Sequence, residues 1–194
     1  MADPMTHDVR FAGLGGQGVV LAGLVLGHAA VLDGLYASGA SSYGAQARGS
    51  VALAEVRLSD EPIDYPHVED ADLLVALSQE GYEACRDRLR EGGLVLYDLG
   101  LVKTADDGPR QQGYDVAAVA RDELDSAQVA NVVWVGVAAA ATGWIGDDAL
   151  REAVRLRVPE RFLELNLRAL EKGLELGRCG VKTKDGGDAS ATRC

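Results

Sequence analysis

The stretch Val9-Arg10-Phe11-Ala12-Gly13-Leu14-Gly15-Gly16-Gln17-Gly18-Val19-Val20 decides the fold of this chain. A short apolar strand runs into a glycine loop with the spacing Gly-x-Gly-x-x-Gly, and the loop opens an apolar helix. In a strand–turn–helix unit the first glycine permits a tight turn, the second lets backbone approach a phosphate, and the third lets helix and strand pack closely. Free N–H groups and the helix dipole then favour an anion at the loop.

The residues after the first helix exclude the commonest ligand of such a loop. A dinucleotide site needs an acidic residue about 20 positions further on, where it binds the ribose hydroxyls. Residues 34–42 contain no acid, so an ordinary NAD site is disfavoured. The loop is not a Walker A loop either, because no Lys-Ser/Thr pair follows Gly18. A different phosphate-bearing ligand, or a loop that faces a partner's cofactor, fits better, and a tight turn without a ligand is the plainest alternative.

Composition narrows the class of protein. The chain has 194 residues, of which 47% are hydrophobic and 25% charged, as expected for one globular domain. A net charge of −11 argues against nucleic acid as a partner. The three cysteines form no Cys-x-x-Cys pair, and the three histidines are dispersed, so we predict no metal site on this chain. We find no transmembrane stretch and no signal-peptide core, and we therefore expect no membrane association and a cytoplasmic location.

The order of apolar runs predicts an α/β fold. The apolar run 73–77 is typical of a parallel strand buried on both faces, and residues 94–98 are predicted as the next strand. The charged segment from Gln79 to Arg90 between them predicts a crossover helix. We therefore predict a single Rossmann-like domain with a mostly parallel sheet and helices on both faces. The first helix, up to about Leu32, is apolar on nearly every side. One side should lie on the sheet, and a second subunit is a natural cover for the other.

Several connecting segments carry weaker signals. Residues 41–50 and 103–113 are polar and glycine-bearing, and we predict loops there. In the first of these loops, Arg48 could bind a carboxylate or phosphate with two hydrogen bonds. Asn131 is expected to cap a buried helix over the apolar run that follows it. Ser78 and Asp98 follow predicted strands and are expected at the carboxyl-end crevice of the sheet. No Ser/His/Asp or Cys/His set indicates a catalytic centre of the chain's own.

Five motifs, in order, resemble the gamma subunit of the 2-oxoacid:ferredoxin oxidoreductases. They are Gly13-Leu-Gly-Gly-Gln-Gly-Val-Val-Leu-Ala-Gly, Ser42-Tyr-Gly-Ala-Gln-Ala-Arg-Gly, Pro62-Ile-Asp-Tyr-Pro, Ala71-Asp-Leu-Leu-Val-Ala-Leu-Ser-Gln-Glu and Leu165-Asn-Leu-Arg-Ala-Leu-Glu-Lys-Gly. The resemblance covers residues 8–178, which we take as one domain of the gamma type, and leaves residues 179–194 as a flexible tail. Within the family, the combined pattern looks most like the gamma subunit of 2-oxoglutarate:ferredoxin oxidoreductase.

The resemblance implies a subunit without independent activity in a hetero-oligomeric enzyme. Alpha and beta subunits would hold thiamine diphosphate, and 4Fe–4S clusters would lie on the beta subunit or on a delta-type ferredoxin subunit. The reaction would be oxidative decarboxylation of a 2-oxoacid with coenzyme A, giving an acyl-CoA, carbon dioxide and reduced ferredoxin. A free-standing Rossmann-like nucleotide-binding or regulatory module is the alternative, and a pure interface subunit is a third possibility.

The family's corresponding domain is thought to help hold coenzyme A beside the active site. This gives a reason for a glycine loop without an acid, because a carboxylate would repel the ribose 3′-phosphate of coenzyme A. The predicted binding residues are Gly13, Gly15, Gly16, Gln17 and Gly18 in the glycine loop, and Ser42, Tyr43, Gly44 and Arg48 at the same mouth. The chain departs from the family pattern at Ala45-Gln46, where Pro-Glu is more usual, and at Ser50, where glycine is more usual.

Overall fold

Six strands form one mixed sheet in the computed structural model, which describes residues 5–43, 50–105 and 110–179. The strands are β1 (Thr6–Leu14), β2 (Tyr36–Tyr43), β3 (Val51–Ser59), β4 (Ala71–Ala76), β5 (Leu89–Asp98) and β6 (Arg110–Tyr114). Their order across the sheet is β2-β3-β1-β4-β5-β6. The pairs β1–β4, β4–β5 and β5–β6 are parallel, whereas β3 runs antiparallel to both β1 and β2. The predicted α/β class with a mostly parallel sheet is confirmed, with β3 as the reversed strand.

Helices cover the two faces of the sheet unequally. They are α1 (Val19–Leu32), α2 (Gln79–Cys85), α3 (Val116–Asp122), α4 (Ala130–Thr142), α5 (Asp147–Arg157) and α6 (Leu163–Cys179), with 3-10 turns at Ala127–Val129 and Glu160–Phe162. The main core joins α1, α3, α4, α5 and α6 to one face of the sheet, on which Phe11 and Val75 lie. A smaller core joins α2 to the other face, around Leu74 and Val95. None of the described helices is both long and apolar enough to cross a membrane.

The crossover helix is shorter than the sequence predicts. Helix α2 ends at Cys85 rather than Arg90, and β5 begins at Leu89 rather than Leu94. The guanidinium of Arg90 donates hydrogen bonds to both carboxylate oxygens of Asp72, at 2.8 and 2.9 Å. The backbone pairs here as well: the N–H of Ala71 donates to the carbonyl of Arg88 at 3.0 Å, and Leu89 is opposite Ala71. The segment is therefore strand, although its charged residues resemble an exposed helix face in sequence.

Two predicted loops are partly strand. Residues 41–43 continue β2, and residues 110–114 form β6 at the edge of the sheet. Short polar edge strands pair on one side only and lack the apolar run of a central strand, so periodicity does not reveal them. Residues 44–49 and 106–109 lie outside the described part of the chain. The predicted tail also lies there, except for Cys179, with which α6 ends.

Two oppositely charged side chains are buried in β1, on the face that α2 covers. Asp8 is fully buried and accepts hydrogen bonds from Nε and Nη2 of Arg57, at 2.7 and 2.8 Å. Arg10 pairs with Glu55 and also donates to the carbonyl of Val68, at 2.9 Å. Since each buried charge is paired and hydrogen-bonded, the pairs fix the register of β1 against β3 and hold the connection between β3 and β4 under the sheet.

The ring of His7 makes stability depend on pH. It stacks on Trp144, which follows α4, with ring centroids 4.0 Å apart and planes 6° from parallel. Burial lowers the pKa of His7 more than the nearby carboxylates of Asp72 and Asp8 raise it. Because the folded state has the lower pKa, the stability from His7 is present above its ordinary value of about 6.5 and is lost as pH falls below it.

We expect the free energy of unfolding in urea to fall between about pH 7.5 and about pH 5.5, and to fall less in His7→Phe. Phenylalanine keeps a ring against Trp144 but takes up no proton. His28 and His67 remain in both proteins and so cancel in the comparison. Equal slopes in the two proteins would show that protonation of His7 does not oppose folding.

Candidate functional site

The carboxyl ends of β1, β4 and β5 meet at one edge of the sheet, because these strands run parallel. A cavity of about 310 Å³ opens there, between the glycine loop and the first turn of α4. Its walls are Gly16, Gln17, Leu77, Asp98, Leu101, Ala117, Ala127, Gln128, Ala130 and Trp134. Ligands of open α/β sheets bind in crevices of this kind, outside the carboxyl ends of the strands. We therefore take this crevice and the glycine loop at its rim as the candidate site.

The side chain of Gln17 shapes the glycine loop from within. Its Oε1 accepts a hydrogen bond from the backbone N–H of Leu14 at 2.7 Å, and its Nε2 donates to the carbonyl of Leu77 at 3.3 Å. The N–H of Gly15 donates to the carbonyl of Ser50 at 3.0 Å. The loop is thus bonded to the end of β4 on one side and to the start of β3 on the other. Gln17, predicted to bind a ligand, therefore uses its amide group to hold the loop.

The glycines play different parts from those the motif predicts. Gly13 has no left-handed backbone, but a Cβ there would lie 2.6 Å from Oε1 of Gln17 and 3.1 Å from Cβ of Leu77. Gly16 and Gly18 have φ values of 96° and 73°, which other residues rarely adopt. The first glycine therefore allows close packing, and the third both makes the turn and leaves room for Asn131, so the division of roles that the motif predicts is observed only in part.

Gly15 is the glycine with room for a side chain. Its backbone is not left-handed, and among the described residues a Cβ there would have a single neighbour, the carbonyl oxygen of Ser50, at 3.8 Å. A substitution at Gly15 therefore changes what the loop presents to its surroundings without changing how the loop folds.

Asn131 is a residue of the site that the sequence analysis assigned wrongly. Helix α4 begins at Ala130, so Asn131 lies inside its first turn and does not cap it. Its side-chain Nδ2 is buried and donates to the carbonyl of Gly18 at 3.2 Å. The sequence shows an asparagine at the start of an apolar helix, which indicates a role there. It does not reveal the hydrogen-bond partner, which lies 113 residues away. Asn131 ties α4 to the turn that opens α1.

The second predicted half of the site begins at the same edge. Strands β1 and β2 both run antiparallel to β3, so Leu14 and Tyr43 end them on the same side. In the register, Tyr43 is opposite Ala52, and Ala52 is opposite Gly13. Two strand spacings, about 10 Å, therefore separate Tyr43 from Gly13. Ser42 is exposed on β2, whereas Gly44 and Arg48 lie outside the described residues.

Ser78 and Asp98, the two polar residues expected in the crevice, both make hydrogen bonds that stabilise the fold. The hydroxyl of Ser78 accepts a hydrogen bond from the N–H of Gly81 and caps α2. The carboxylate of Asp98 accepts from the N–H of Gly100 at 2.9 Å and from that of Ala117 at 2.7 Å. Burial raises the pKa of Asp98 in spite of these bonds. Asp98 lines the cavity as predicted, but both of its carboxylate oxygens already accept hydrogen bonds from backbone N–H groups.

The arrangement is suited to binding a ligand that has both an uncharged part and an anionic part. Leu77, Leu101 and Trp134 give the cavity apolar walls, which favour an uncharged group. At its rim, the 14-residue helix α1 begins at the glycine loop without a side-chain cap, which favours an anion. Across the described residues, we find no group of three His, Cys, Asp or Glu side chains placed to bind a metal.

Comparison with known proteins identifies the family. The family model for pyruvate ferredoxin/flavodoxin oxidoreductase matches residues 8–176. The chain belongs to this family. It is 39% identical to 2-oxoglutarate synthase subunit KorC of Methanocaldococcus jannaschii, over 90% of this chain and 95% of that protein.

Solved structures agree with this placement. The gamma subunit of a keto/oxoacid ferredoxin oxidoreductase from Geobacter sulfurreducens matches with a TM-score of 0.83 and 36% identity, over 92% of this chain and 99% of that one. The chain is therefore a gamma subunit of a 2-oxoacid:ferredoxin oxidoreductase, an enzyme complex, and is most like that of 2-oxoglutarate synthase.

A third relative is much longer. The 2-oxoglutarate:ferredoxin oxidoreductase of Magnetococcus marinus, solved with 2-oxoglutarate, coenzyme A and succinyl-CoA bound, matches with a TM-score of 0.80 and 25% identity. The match covers 92% of this chain but 32% of the Magnetococcus chain. In that protein the gamma domain and a larger remainder belong to one polypeptide.

The contact between Gly18 and Asn131 can be tested by a double-mutant cycle. We expect Gly18→Ala to lower the free energy of unfolding by about 2 kcal/mol or more, because a methyl group there meets the Asn131 amide in a left-handed backbone. In an Asn131→Ala background the same change should cost less, since the amide group is gone and the backbone strain and the 3.2 Å contact with the Cβ at position 131 remain. Urea unfolding of the four proteins measures the coupling, and strictly additive costs would contradict the contact.

Proposed function

We propose that this chain is the subunit that holds coenzyme A in a 2-oxoglutarate:ferredoxin oxidoreductase. The assembled enzyme would convert 2-oxoglutarate and coenzyme A to succinyl-CoA and carbon dioxide, and would reduce ferredoxin. The observation that carries the proposal is the uncapped start of α1 at the rim of an apolar crevice. The coenzyme A bound in the Magnetococcus enzyme has the phosphates and the uncharged arm that such a site accepts.

The chemistry of coenzyme A fits the residues of the crevice. Its pyrophosphate and 3′-phosphate need N–H donors and the absence of nearby exposed carboxylates, and residues 34–42 contain no acid. The uncharged part of the molecule would lie along Leu77 and Trp134. Gly15 and Gly16 would face the phosphates, while Gly13, Gln17 and Gly18 keep the loop in shape. Ser42, Tyr43, Gly44 and Arg48 would complete the mouth.

The role of this chain is to bind and orient the co-substrate and to exclude water. Thiamine diphosphate, on alpha and beta partners, would supply the electron sink for decarboxylation, and 4Fe–4S clusters on the beta subunit or a delta-type subunit would carry electrons to ferredoxin. We also propose that the complex works in the cytoplasm.

Replacing Gly15 by aspartate tests the coenzyme A contact. The new side chain has room, so the loop keeps its fold, but a carboxylate would stand beside the phosphates. In the assembled enzyme we expect Gly15→Asp to raise KM for coenzyme A by about tenfold or more, because like charges at about 4 Å repel by one to several kcal/mol. KM for 2-oxoglutarate should change little.

Gly15→Asn is the matched control, since it has the same size without the charge. We expect its KM for coenzyme A to stay within about threefold of the wild-type value, because only the steric change remains. If both variants have the wild-type KM for coenzyme A, the glycine loop does not bind it.

A further inference from the structure

A second groove lies between α1 and β2, at the edge of the sheet opposite to β6. Its volume is about 310 Å³. One wall is a stripe on α1 whose members recur every three or four residues: Val20, Leu24, Gly27 and Val31. Leu24 is 49% exposed and Val31 is 53% exposed, which is unusual for large apolar side chains that share one helix face. The other wall is residues 37–41 of β2.

Strand β2 is an edge strand with an unprotected outer side. It pairs with β3 on one side, and among the described strands it has no neighbour on the other. Its sequence, Tyr36-Ala-Ser-Gly-Ala-Ser-Ser-Tyr43, contains no charge and no proline. Proteins usually guard such edges with lysine, proline or a bulge. An eight-residue edge without these features can accept another strand by backbone hydrogen bonds.

The groove and the edge suit one kind of occupant. Small residues line the wall of β2, with Ala37, Gly39 and Ser41 on the side that faces α1, so an added strand has space for its side chains. An extended segment places every second side chain on the same face. A segment paired with β2 would therefore direct alternate side chains against Leu24 and Val31. To fill the space and cover those residues, these side chains must be large and apolar.

A second copy of this chain lacks those side chains. Its own β2 would bring alanine, serine and glycine, with tyrosine at the two ends alone, and these would leave the groove unfilled. Two copies would also bring together net charges of −11 each. The occupant is therefore a different polypeptide.

The longer relative indicates which polypeptide this is. In the Magnetococcus enzyme the matched region is 32% of one chain, so the domain and the larger remainder are held together covalently. In the Geobacter sulfurreducens relative, the match covers 99% of a chain that is a gamma subunit by itself. The proposed function takes the same arrangement for this chain, with the counterpart of the remainder on a separate subunit. A separate subunit needs a non-covalent apolar surface, and the groove between α1 and β2 offers one.

We infer that the groove between α1 and β2 receives an extended segment of the larger partner subunit, which adds as a strand to β2 and places alternate apolar side chains against α1. At the rim, Nε of Arg157 donates to Nδ1 of His28 at 2.8 Å. The cation there favours an acidic or carbonyl group on the partner segment. This inference rests on the multi-subunit assembly of the proposed function and is independent of the coenzyme A contact.

The test is co-purification of this chain with a tagged larger subunit after co-expression of all subunits. We expect Leu24→Asp and Val31→Asp each to reduce the recovered gamma chain by tenfold or more, because a carboxylate cannot be buried against apolar side chains. Phe162→Asp is the matched control, since Phe162 is 44% exposed and lies outside the groove. It should co-purify as the wild type does. Circular dichroism of each variant shows whether the chain is still folded.

Amide hydrogen exchange gives a second readout that does not depend on a variant. Residues 36–43 should exchange at least tenfold more slowly in the complex than in the chain alone, because the outer edge of β2 becomes hydrogen-bonded. The inference is overturned if the exchange of residues 36–43 is the same in both, or if the two aspartate variants co-purify normally. A dimer of the isolated chain that Leu24→Asp dissociates would assign the groove to a second copy and would also overturn it.

Failure of this inference is distinct from failure of the proposed function. Gly15→Asp should co-purify with the larger subunit at the wild-type level, since the glycine loop lies outside the groove. If Gly15→Asp associates normally and its KM for coenzyme A is unchanged, the coenzyme A site is rejected and the docking surface is not affected. If Leu24→Asp associates normally while Gly15→Asp has a raised KM for coenzyme A, the docking surface is rejected and the coenzyme A site is not affected.

Discussion

The close approach of three helices to the end of β1 is the constraint on which the rest of the structure depends. Helix α1 packs onto the strand at Gly13, α4 approaches the turn at Gly18, and α2 comes from the other face at Gly81. A Cβ on Gly81 would lie 2.6 Å from the carbonyl carbon of Ala12. No larger residue therefore fits at these three positions without movement of its neighbours. The two ends of the glycine loop, at Gly13 and Gly18, are therefore closely packed against neighbouring side chains.

A phosphate site requires a loop that is already held in its binding conformation. A loop whose N–H groups are already oriented loses little conformational entropy when an anion binds. The amide of Gln17 and the carbonyl of Ser50 fix the loop with hydrogen bonds inside the protein, so the ligand does not have to order it. The proposed docking strand adjoins the same site, because β2 ends at Tyr43 on the edge where the glycine loop lies. A subunit that extends the sheet at β2 would thus reach the mouth of the crevice.

Local patterns predicted the parts of the fold that local interactions determine. The strand–glycine–helix unit at residues 9–20 and the buried strand at 71–77 are visible because each has its own periodicity and punctuation. The end of α2 was placed wrongly because residues 88 and 89 pair with the backbone of Ala71 in β4, a contact that the charged sequence does not reveal. Likewise, β6 is polar, and its strand conformation comes from pairing with β5.

The candidate site was predictable in outline but not in detail. Spacing alone located the glycine loop and its edge of the sheet. It could not show that Asn131 donates to Gly18, because that bond joins residues 113 apart. It also could not separate the packing role of Gly13 from the turning role of Gly18, since both appear in the sequence as glycine. Contacts of this kind exist once the helices have packed, and sequence periodicity contains no record of them.

The measurement that tests the central claim most directly is an activity assay of the native complex. The chain would be tagged and recovered anaerobically from its own cells, and the eluate assayed for reduction of viologen with a panel of 2-oxoacids, with and without coenzyme A. We predict co-purifying larger subunits and activity that requires coenzyme A and is highest with 2-oxoglutarate. A chain recovered alone and inactive, yet able to bind a nucleotide, would contradict the account.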